Sequence, residues 1–489
     1  MIMRRLYQLI FLLLISVSPA TARDFNVRDF GASGDGVSLD SPAINAAIHA
    51  ASKKKNSTVV IPSGVYKCFS IRLASNVTIR FEQGAVIKAA QYNEGHGFDA
   101  AEENPWWQYQ DFGHSHWKNS LIWGIGLENI KICGPGLIDG SLLSNGVTQR
   151  AQSTDIDYDF TLVEGAGNKA ISLKECRNVT LEGFTILRGG HFCILATGVE
   201  GMRVSGLKLD SNRDGIDIDC CRDVLVENCE VNTPWDDAIV LKSSFALGRY
   251  QDCENIIVRN CRISGYEVGT LLSGERSRVL ETPYSKNPAV RSSGRIKMGT
   301  ESSGGFRNVR VSDCSLEYCG GLHVESTDGG VVSDIRFNNI TIDDCCDSPV
   351  FVMIGSRLRS PEGREVGSIS NVHFNNVVSR NARPEYGIII TGFMDKIVHD
   401  ISFTDCVFGS RGGVSVLPSV QVPEIEKQYP DPKSFGTMPS KGAYLRHADN
   451  VRMNNVRFEF AEDDSRPLII KEDVRSFSAD APALLAQAE

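Results

Sequence analysis

The segments Asn178-Val179-Thr180-Leu181, Gly201-Met202-Arg203-Val204 and Asp223-Val224-Leu225-Val226 decide the fold. Each opens with Asn, Asp or Gly and then alternates aliphatic and variable residues, the pattern of a short strand with one buried face. The phrase also occurs at Asn76-Val77-Thr78-Ile79, Asn129-Ile130-Lys131-Ile132, Asn255-Ile256-Ile257-Val258 and Asn308-Val309-Arg310-Val311. Further copies stand at Asp334-Ile335-Arg336-Phe337, Asn371-Val372-His373-Phe374, Asp400-Ile401-Ser402-Phe403 and Asn450-Val451-Arg452-Met453. The closest copies lie 22 to 26 residues apart, and longer gaps such as 255 to 308 leave room for loops. Asn and Asp suit a turn at strand entry, because their side chains bond nearby backbone and tolerate left-handed geometry. One such strand cannot bury its face, whereas stacked coils share a continuous core. Hairpin signals such as Asn-Gly are scarce between the copies, which argues against a sandwich. The spacing predicts an all-β chain, a right-handed parallel β-helix.

The ends of the chain fit a solenoid. Asp40-Ser41-Pro42 followed by Ala43 to Ala51 reads as a capped, Pro-started helix where the first coil needs covering. Arg4 and Arg5, the apolar run Leu9 to Val17 and the exit Ala20-Thr21-Ala22 read as a secretory signal over residues 1–22. That run is about half the ~20 residues a membrane-spanning helix needs. The expectation is an exported protein, periplasmic or extracellular, whose residues 23–489 form one β-helix domain with no membrane span.

With 489 residues, 42% hydrophobic and a net charge of −9, the chain is globular rather than disordered. Removing Arg4 and Arg5 takes the charge from −9 to −11, an acidic balance that argues against nucleic-acid binding. The 14 cysteines are too dilute for a disulfide scaffold. Cys229, Cys261, Cys314 and Cys406 each follow their strand by two positions, so they are expected as stacked thiols in the core, with paired disulfides the alternative. Asn56, Asn76, Asn178 and Asn339 each start an Asn-x-Ser/Thr sequon, but these positions mostly coincide with strand-entry turns. Paired Cys-x-x-Cys elements are missing and His114-Ser115-His116 alone is a weak ligand pattern, so no metal is expected.

Acidic residues concentrate in Asp210-Ser-Asn-Arg-Asp214-Gly-Ile-Asp217-Ile-Asp219, one repeat before Pro234-Trp235-Asp236-Asp237-Ala-Ile-Val-Leu-Lys242. Aligning Ile216 on Ile239 and Ile218 on Leu241 puts Asp214 over Asp237 and Asp219 over Lys242, with rungs about 4.8 Å apart. Carboxylates this close raise one another's pKa unless a proton, water or cation intervenes. A calcium site is the structural reading of such a cluster. Acid–base cleavage of a glycosidic bond is the chemical one, since it needs one protonated and one ionised carboxyl.

At these residues the sequence resembles glycoside hydrolase family 28, the polygalacturonase-like enzymes. Asn212-Arg213-Asp214 is similar to the family's Asn-Thr-Asp, and Asp236-Asp237 to its Asp-Asp one coil later. The opening Phe25-Asn26-Val27-Arg28-Asp29-Phe30-Gly31-Ala32 resembles the family's first coil. The resemblance implies a pectin-lyase-like solenoid, no cofactor, and inversion by single displacement on pectin-type plant cell-wall polysaccharide. Asp236 would protonate the leaving oxygen, while Asp214 and Asp237 would hold and deprotonate the attacking water. Two positions depart from the family. Gly294 stands where its Gly-His-Gly histidine would precede Met298-Gly299-Thr300-Glu301-Ser302, and His323-Val324-Glu325 aligns with its carboxylate-gripping Arg-Ile-Lys. Arg295-Ile296-Lys297 has the right letters but lies one coil early, and reads as coincidence. Glu325 would repel a uronate, so the sugar is either neutral or anchored by other groups such as Lys242, Arg357 or Arg359.

Four of the five tryptophans, Trp106, Trp107, Trp117 and Trp123, lie in one stretch and read either as a hydrophobic plug or as a sugar-stacking wall. Trp235 abuts the Asp pair, and His191 lies one coil before Asp214, so both join Lys242, Glu301, His323 and Glu325 as candidate substrate contacts. The inserts Gly274 to Ser293 and Pro418 to Ser440 are long enough to wall a pocket, which favours attack from a chain end by a monomer. A lyase on the same fold would need an Arg or Lys base and would release ultraviolet-absorbing products. A non-catalytic glycan-binding β-helix would be insensitive to loss of Asp236.

Overall fold

The computed structural model describes residues 23–54, 56–93, 96–110, 113–144, 164–278, 292–414 and 421–480. The expected secretory signal over 1–22 lies outside these residues, as does most of the insert 274–293. The described residues form 35 strands, and every ladder between named strands is parallel. The chain is a right-handed parallel β-helix in which three strands per coil stack into three rows. One row carries the repeated phrase and runs through Glu128–Cys133, Arg177–Glu182, Glu200–Ser205, Arg222–Glu227 and Cys253–Arg259. Another runs through Lys169–Lys174, Phe192–Thr197, Asp214–Asp219, Ile239–Ser243, Ile296–Ser302, Leu322–Ser326 and Val350–Ile354. The functional candidates stand on this second row.

The leading residue of each phrase explains the register. Asn76, Asn129, Asn178, Asp223, Asn255, Asn308, Asp334, Asn371, Asp400 and Asn450 all have φ between 51° and 62°, and Gly201 has φ 70°. An L-residue pays a steric penalty there that Asn, Asp and Gly pay least. The side chains then link coil to coil: Asn129 Nδ2 donates to Asn76 Oδ1 (2.8 Å), and Asn178 Nδ2 to Asn129 Oδ1 (2.7 Å). Beyond Gly201, which carries no side chain, the ladder resumes with Asn255 on Asp223 (2.9 Å) and Asn308 on Asn255 (2.7 Å). The four sequon asparagines Asn56, Asn76, Asn178 and Asn339 have φ of 54°, 62°, 52° and 56°, so each serves such a turn.

Between the rows the aliphatics of successive coils merge into one core from Phe25 to Ala479. Equivalent rings stack: Phe374 lies 5.0 Å from Phe337 and 4.9 Å from Phe403, near-parallel to both. All 14 cysteines are thiols, as the stacked reading expects. Cys229, Cys261 and Cys314 hydrogen-bond in a row, whereas Cys406 lies three coils beyond Cys314, separated from it by Ile340 and Val377. The capping helix spans Ser41–Ser52 and buries Ile44, Ala47, Ile48 and Ala51 against the first coil. Asp40 precedes it but does not cap it. Its carboxylate instead accepts from the Ser33 and Gly34 amides (2.6 and 3.1 Å), tying the helix to the opening turn.

Replacing Asn129 by Ala removes both a ladder donor and acceptor and puts in the left-handed region a residue that tolerates it less well than Asn. The expected loss is about 1–2 kcal/mol in chemical denaturation, with Asn129→Gly losing less because glycine keeps the backbone conformation. Phe374→Ala, which opens the middle of the ring stack, is expected to cost about 3–5 kcal/mol.

Candidate functional site

The register expected for the two acidic strands holds: Ile216 pairs with Ile239, Ile218 with Leu241 and Asp219 with Lys242. The Gly215 amide donates to the Asp237 carbonyl (3.0 Å), which sets Asp214 beside Asp237 on adjacent rungs. Asp236 follows in the same bend, its Oδ1 accepting from the Asp237 amide (3.1 Å). Its side chain is 17% exposed, against 3% for Asp214 and 3% for Asp237. Three carboxylates thus meet at one place, and only Asp236 reaches out of it.

Their surroundings differ in charge. Burial alone would push Asp237 up, but Arg295, Lys297 and Lys242 outweigh it and hold its carboxyl well below the usual carboxylate range. Arg295 Nε donates at 2.6 Å and Lys297 Nζ lies at 3.4 Å. Asp214 goes the other way: burial, with Asp217 and Asp236 nearby, pushes it well up despite Lys242 Nζ at 3.0 Å. Two neighbouring carboxyls with opposite shifts are the arrangement that lets one keep a proton while the other stays ionised.

Lys242 is the hub of the buried charge. Its Nζ lies 2.8 Å from His114 Nε2, 3.0 Å from Asp214, 3.2 Å from Asp217 and 3.7 Å from Glu301. Burial would lower its pKa, but these carboxylates raise it well above the ordinary lysine value. Asp219, its partner in register, is instead held by the Ser244 amide (2.9 Å) and hydroxyl (2.7 Å). Ligand atoms of His114, Asp214 and Asp217 all lie within 4.8 Å of one another, a spacing that suits a divalent cation. The Lys242 ammonium stands among them and supplies that positive charge. His116 turns away, with Nδ1 on the Glu102 carbonyl (2.8 Å), so the two histidines do not form one chelating pair.

His191 is buried one coil earlier, stacked on Phe192 at 4.2 Å. Burial and the Arg213 charge hold its pKa well below the ordinary value, and its Nε2 lies 2.9 Å from Arg213, so the neutral ring accepts there. Arg213 in turn reaches Asp236 at 3.1 Å. Trp235 is half-buried in the bend, its amide donating to the Asn212 carbonyl (3.1 Å). Glu301 joins the cluster at the end of its strand: burial would raise its pKa, but Lys242, His114, Arg357 and Arg359 hold it well below the carboxylate range. His323 and Glu325 stand on the next strand and are fully buried, 3.5 Å apart. Asp347 is 3.6 Å from His323, and Lys297 is 3.5 Å from Glu325. They therefore meet Lys297 and Asp347 rather than solvent.

Arg295 and Lys297, which lie a coil early by the family alignment, stand inside the site. Buried Asp237 requires counter-charge, and the next rung is where a cation can reach it. Along the sequence their coil position gives no sign of this role, which depends on the rung above Asp237. His114 and Tyr429 carried no periodic signal, because both come from loops. The segment 421–438 packs through Val422, Ile425, Phe435 and Met438 on Phe351, Ile389 and Tyr444. It lays the exposed Tyr429 over Lys297, ring centroid 4.9 Å from Nζ and hydroxyl 3.0 Å from it. In the tryptophan stretch the plug reading holds for Trp117. Trp117 is a buried plug against Phe192 and Leu195, and Trp123 donates to Asp99 (2.8 Å). Trp106 and Trp107 are exposed, and Trp106 stands edge-on to Phe245 at 5.3 Å.

The model of the family "Rhamnogalacturonase A/epimerase, pectate lyase-like" matches residues 25–270, just over half of the chain. A Vitis vinifera protein named "Probable polygalacturonase" is 24% identical over 348 residues, which are 66% of this chain and 61% of that one. The chain thus spans less than two thirds of that relative's length. The fold is similar to that of a Thermotoga maritima exopolygalacturonase, with TM-score 0.64, 21% identity and coverage of 89% of this chain and 92% of that one. It is also similar to a Yersinia enterocolitica family 28 exopolygalacturonase, with TM-score 0.68, 18% identity and coverage of 94% and 78%. With the repeat and the parallel rows in agreement with that match, the chain belongs to the rhamnogalacturonase A/epimerase, pectate lyase-like family and is similar to the polygalacturonases named above.

Proposed function

We propose that the protein is an exported, inverting glycoside hydrolase that acts on pectin-type polysaccharide or oligosaccharide, galacturonan or rhamnogalacturonan, from a chain end. The observation that carries this reading is the split environment of three converging carboxyls. Asp237 is held ionised by Arg295 and Lys297, Asp214 is pushed up beside it, and Asp236 alone reaches out of the cluster. In the reaction, water attacks the anomeric carbon from the face opposite the leaving oxygen. Asp214 and Asp237 hold that water and the ionised Asp237 takes its proton, while Asp236 gives a proton to the departing oxygen, so one hydrolysis consumes one water. Arg213, braced by His191, fixes where Asp236 points. The Lys242 ammonium supplies positive charge among the three buried carboxylates of Asp214, Asp217 and Glu301. Segment 421–438, which lays Tyr429 over Lys297 beside the acidic cluster, supports attack from a chain end, since a walled pocket admits a terminus more readily than the middle of a polymer. Lys242, His191, Trp235, Glu301, His323 and Glu325 remain the proposed contacts and supports for substrate, the fully buried ones acting through their neighbours. No cofactor is required, and a monomer carries the whole site.

Asp236→Asn is expected to lower kcat by about 10²–10⁴-fold on pectic oligosaccharides, with folding unchanged by circular dichroism. Unaltered turnover would remove Asp236 from the chemistry. The wild-type products should show inverted anomeric configuration by NMR and no new ultraviolet absorbance, which separates hydrolysis from elimination. Arg295→Gln strips a cation from Asp237, so Asp237 should take up its proton at higher pH than before. The acid limb of kcat/KM is then expected to move upward in pH, and an unmoved limb would exclude Asp237 as the base. N-terminal sequencing of the exported protein should begin at Arg23.

A further inference from the structure

We propose that Arg359 is the specificity residue of this cleft, taking the carboxylate of a uronate sugar next to the cleaved bond. The inference rests on the hydrolase reading of the same site. The positions that align with the family's carboxylate grip, His323 and Glu325, are fully buried here and carry no arginine or lysine. Other cations are near, but they lie beneath the surface on carboxylates of the site. Lys297 is fully buried beside Asp237 and Glu325, Arg295 lies on Asp237, and Lys242 lies on Asp214 and Asp217. Arg213 and Arg357, on Asp236 and Asp328, are 9% and 8% exposed. The Arg359 side chain is 28% exposed, so among these described cations it is the one a substrate can meet most directly.

The loop that carries it is built to hold it still. Asp328, buried at the end of the Leu322–Ser326 coil, accepts from Arg357 Nε (3.0 Å) and Nη2 (2.5 Å) and from the Arg359 amide (2.9 Å). Ser303 Oγ donates to the Arg359 carbonyl (3.2 Å) and pairs with Ser360 Oγ (2.7 Å). These bonds fix the backbone at Arg359, whose side chain is part-exposed beside Glu301. Glu301 ties it to the reaction centre: its Oε2 lies 3.7 Å from Lys242, and its Oε1 lies 3.8 Å from Arg357 and 3.8 Å from Arg359. Arg359 stands three ion-pair steps from Asp214, through Glu301 and Lys242, alongside the cleft rather than at the point of cleavage. A planar guanidinium pre-positioned in this way matches a carboxylate through two parallel hydrogen bonds, which a neutral sugar cannot return.

The test compares wild type, Arg359→Gln and Arg359→Lys on oligogalacturonate and rhamnogalacturonan oligosaccharides and on the same compounds with their carboxyls reduced to alcohols. Arg359→Gln is expected to raise KM for the uronate substrates by about tenfold or more, with kcat nearly unchanged, and to leave KM for the reduced substrates alone. Arg359→Lys should restore only part of the affinity. Binding of both substrate sets is also measured by calorimetry on full-length Asp236→Asn, with and without Arg359→Gln. A uronate preference that disappears with Arg359→Gln supports the proposal even if no turnover is seen, an outcome that would instead defeat the hydrolase reading. Equal losses on uronate and reduced compounds, no loss on either, or no binding of uronate by Asp236→Asn would overturn the assignment of Arg359.

Discussion

The structure depends on one backbone constraint, the left-handed residue near the start of each strand of the repeated row. Asn, Asp or Gly at that point turns the chain sharply and fixes where the inward alternation begins. Asn side chains then bond across coils, so equivalent residues stay in register along the solenoid. Register in a parallel stack decides which side chains meet, because a slip of one residue would send every aliphatic outward. The adjacency of Asp214 and Asp237 follows from this, since both sit two residues before paired isoleucines.

Charge balance is the second constraint. Placing Asp214, Asp217, Asp237, Glu301 and Glu325 on neighbouring buried rungs is tolerable only with cations among them. Lys242 answers the first, second and fourth, while Arg295 and Lys297 answer Asp237 and Glu325. This explains the shifted Arg-Ile-Lys. Those letters one coil early serve as counter-charge for the carboxylates, and the coil after them carries His323 and Glu325 in a buried network. The cations that stabilise the acidic cluster are thereby drawn under the surface, so substrate recognition must come from elsewhere on the rim.

Much of the fold was legible from residues alone. Alternation at Asn178 to Leu181 and its ten or so relatives identified the parallel row, and the thiol reading of Cys229, Cys261 and Cys314 agrees with their stacking. The helix over Ser41–Ser52 was visible from its proline and apolar spacing, although Asp40 bonds backward to Ser33 and Gly34 instead of capping it. The acidic pair was legible because it rides on the periodic strands. Lys242, Glu301 and His191 were legible as its neighbours by the same alignment, but the placing of the loop residues was not. His114, Arg359 and Tyr429 enter from loops whose course no repeat governs, and two-residue periodicity says nothing about where a loop side chain lands.

The sequence by itself determined the coil, the register and the meeting of Asp214 with Asp236 and Asp237. These follow from local turn chemistry and the strand period, which repeat along the chain. Only the tertiary structure decided the electrostatics: which carboxylate keeps a cation, which is pushed toward its protonated form, and which cation reaches the solvent. Those outcomes depend on burial and on contacts between residues more than a hundred positions apart, such as His114 with Lys242. Coulomb interactions act through space, and a sequence pattern records distance only along the chain.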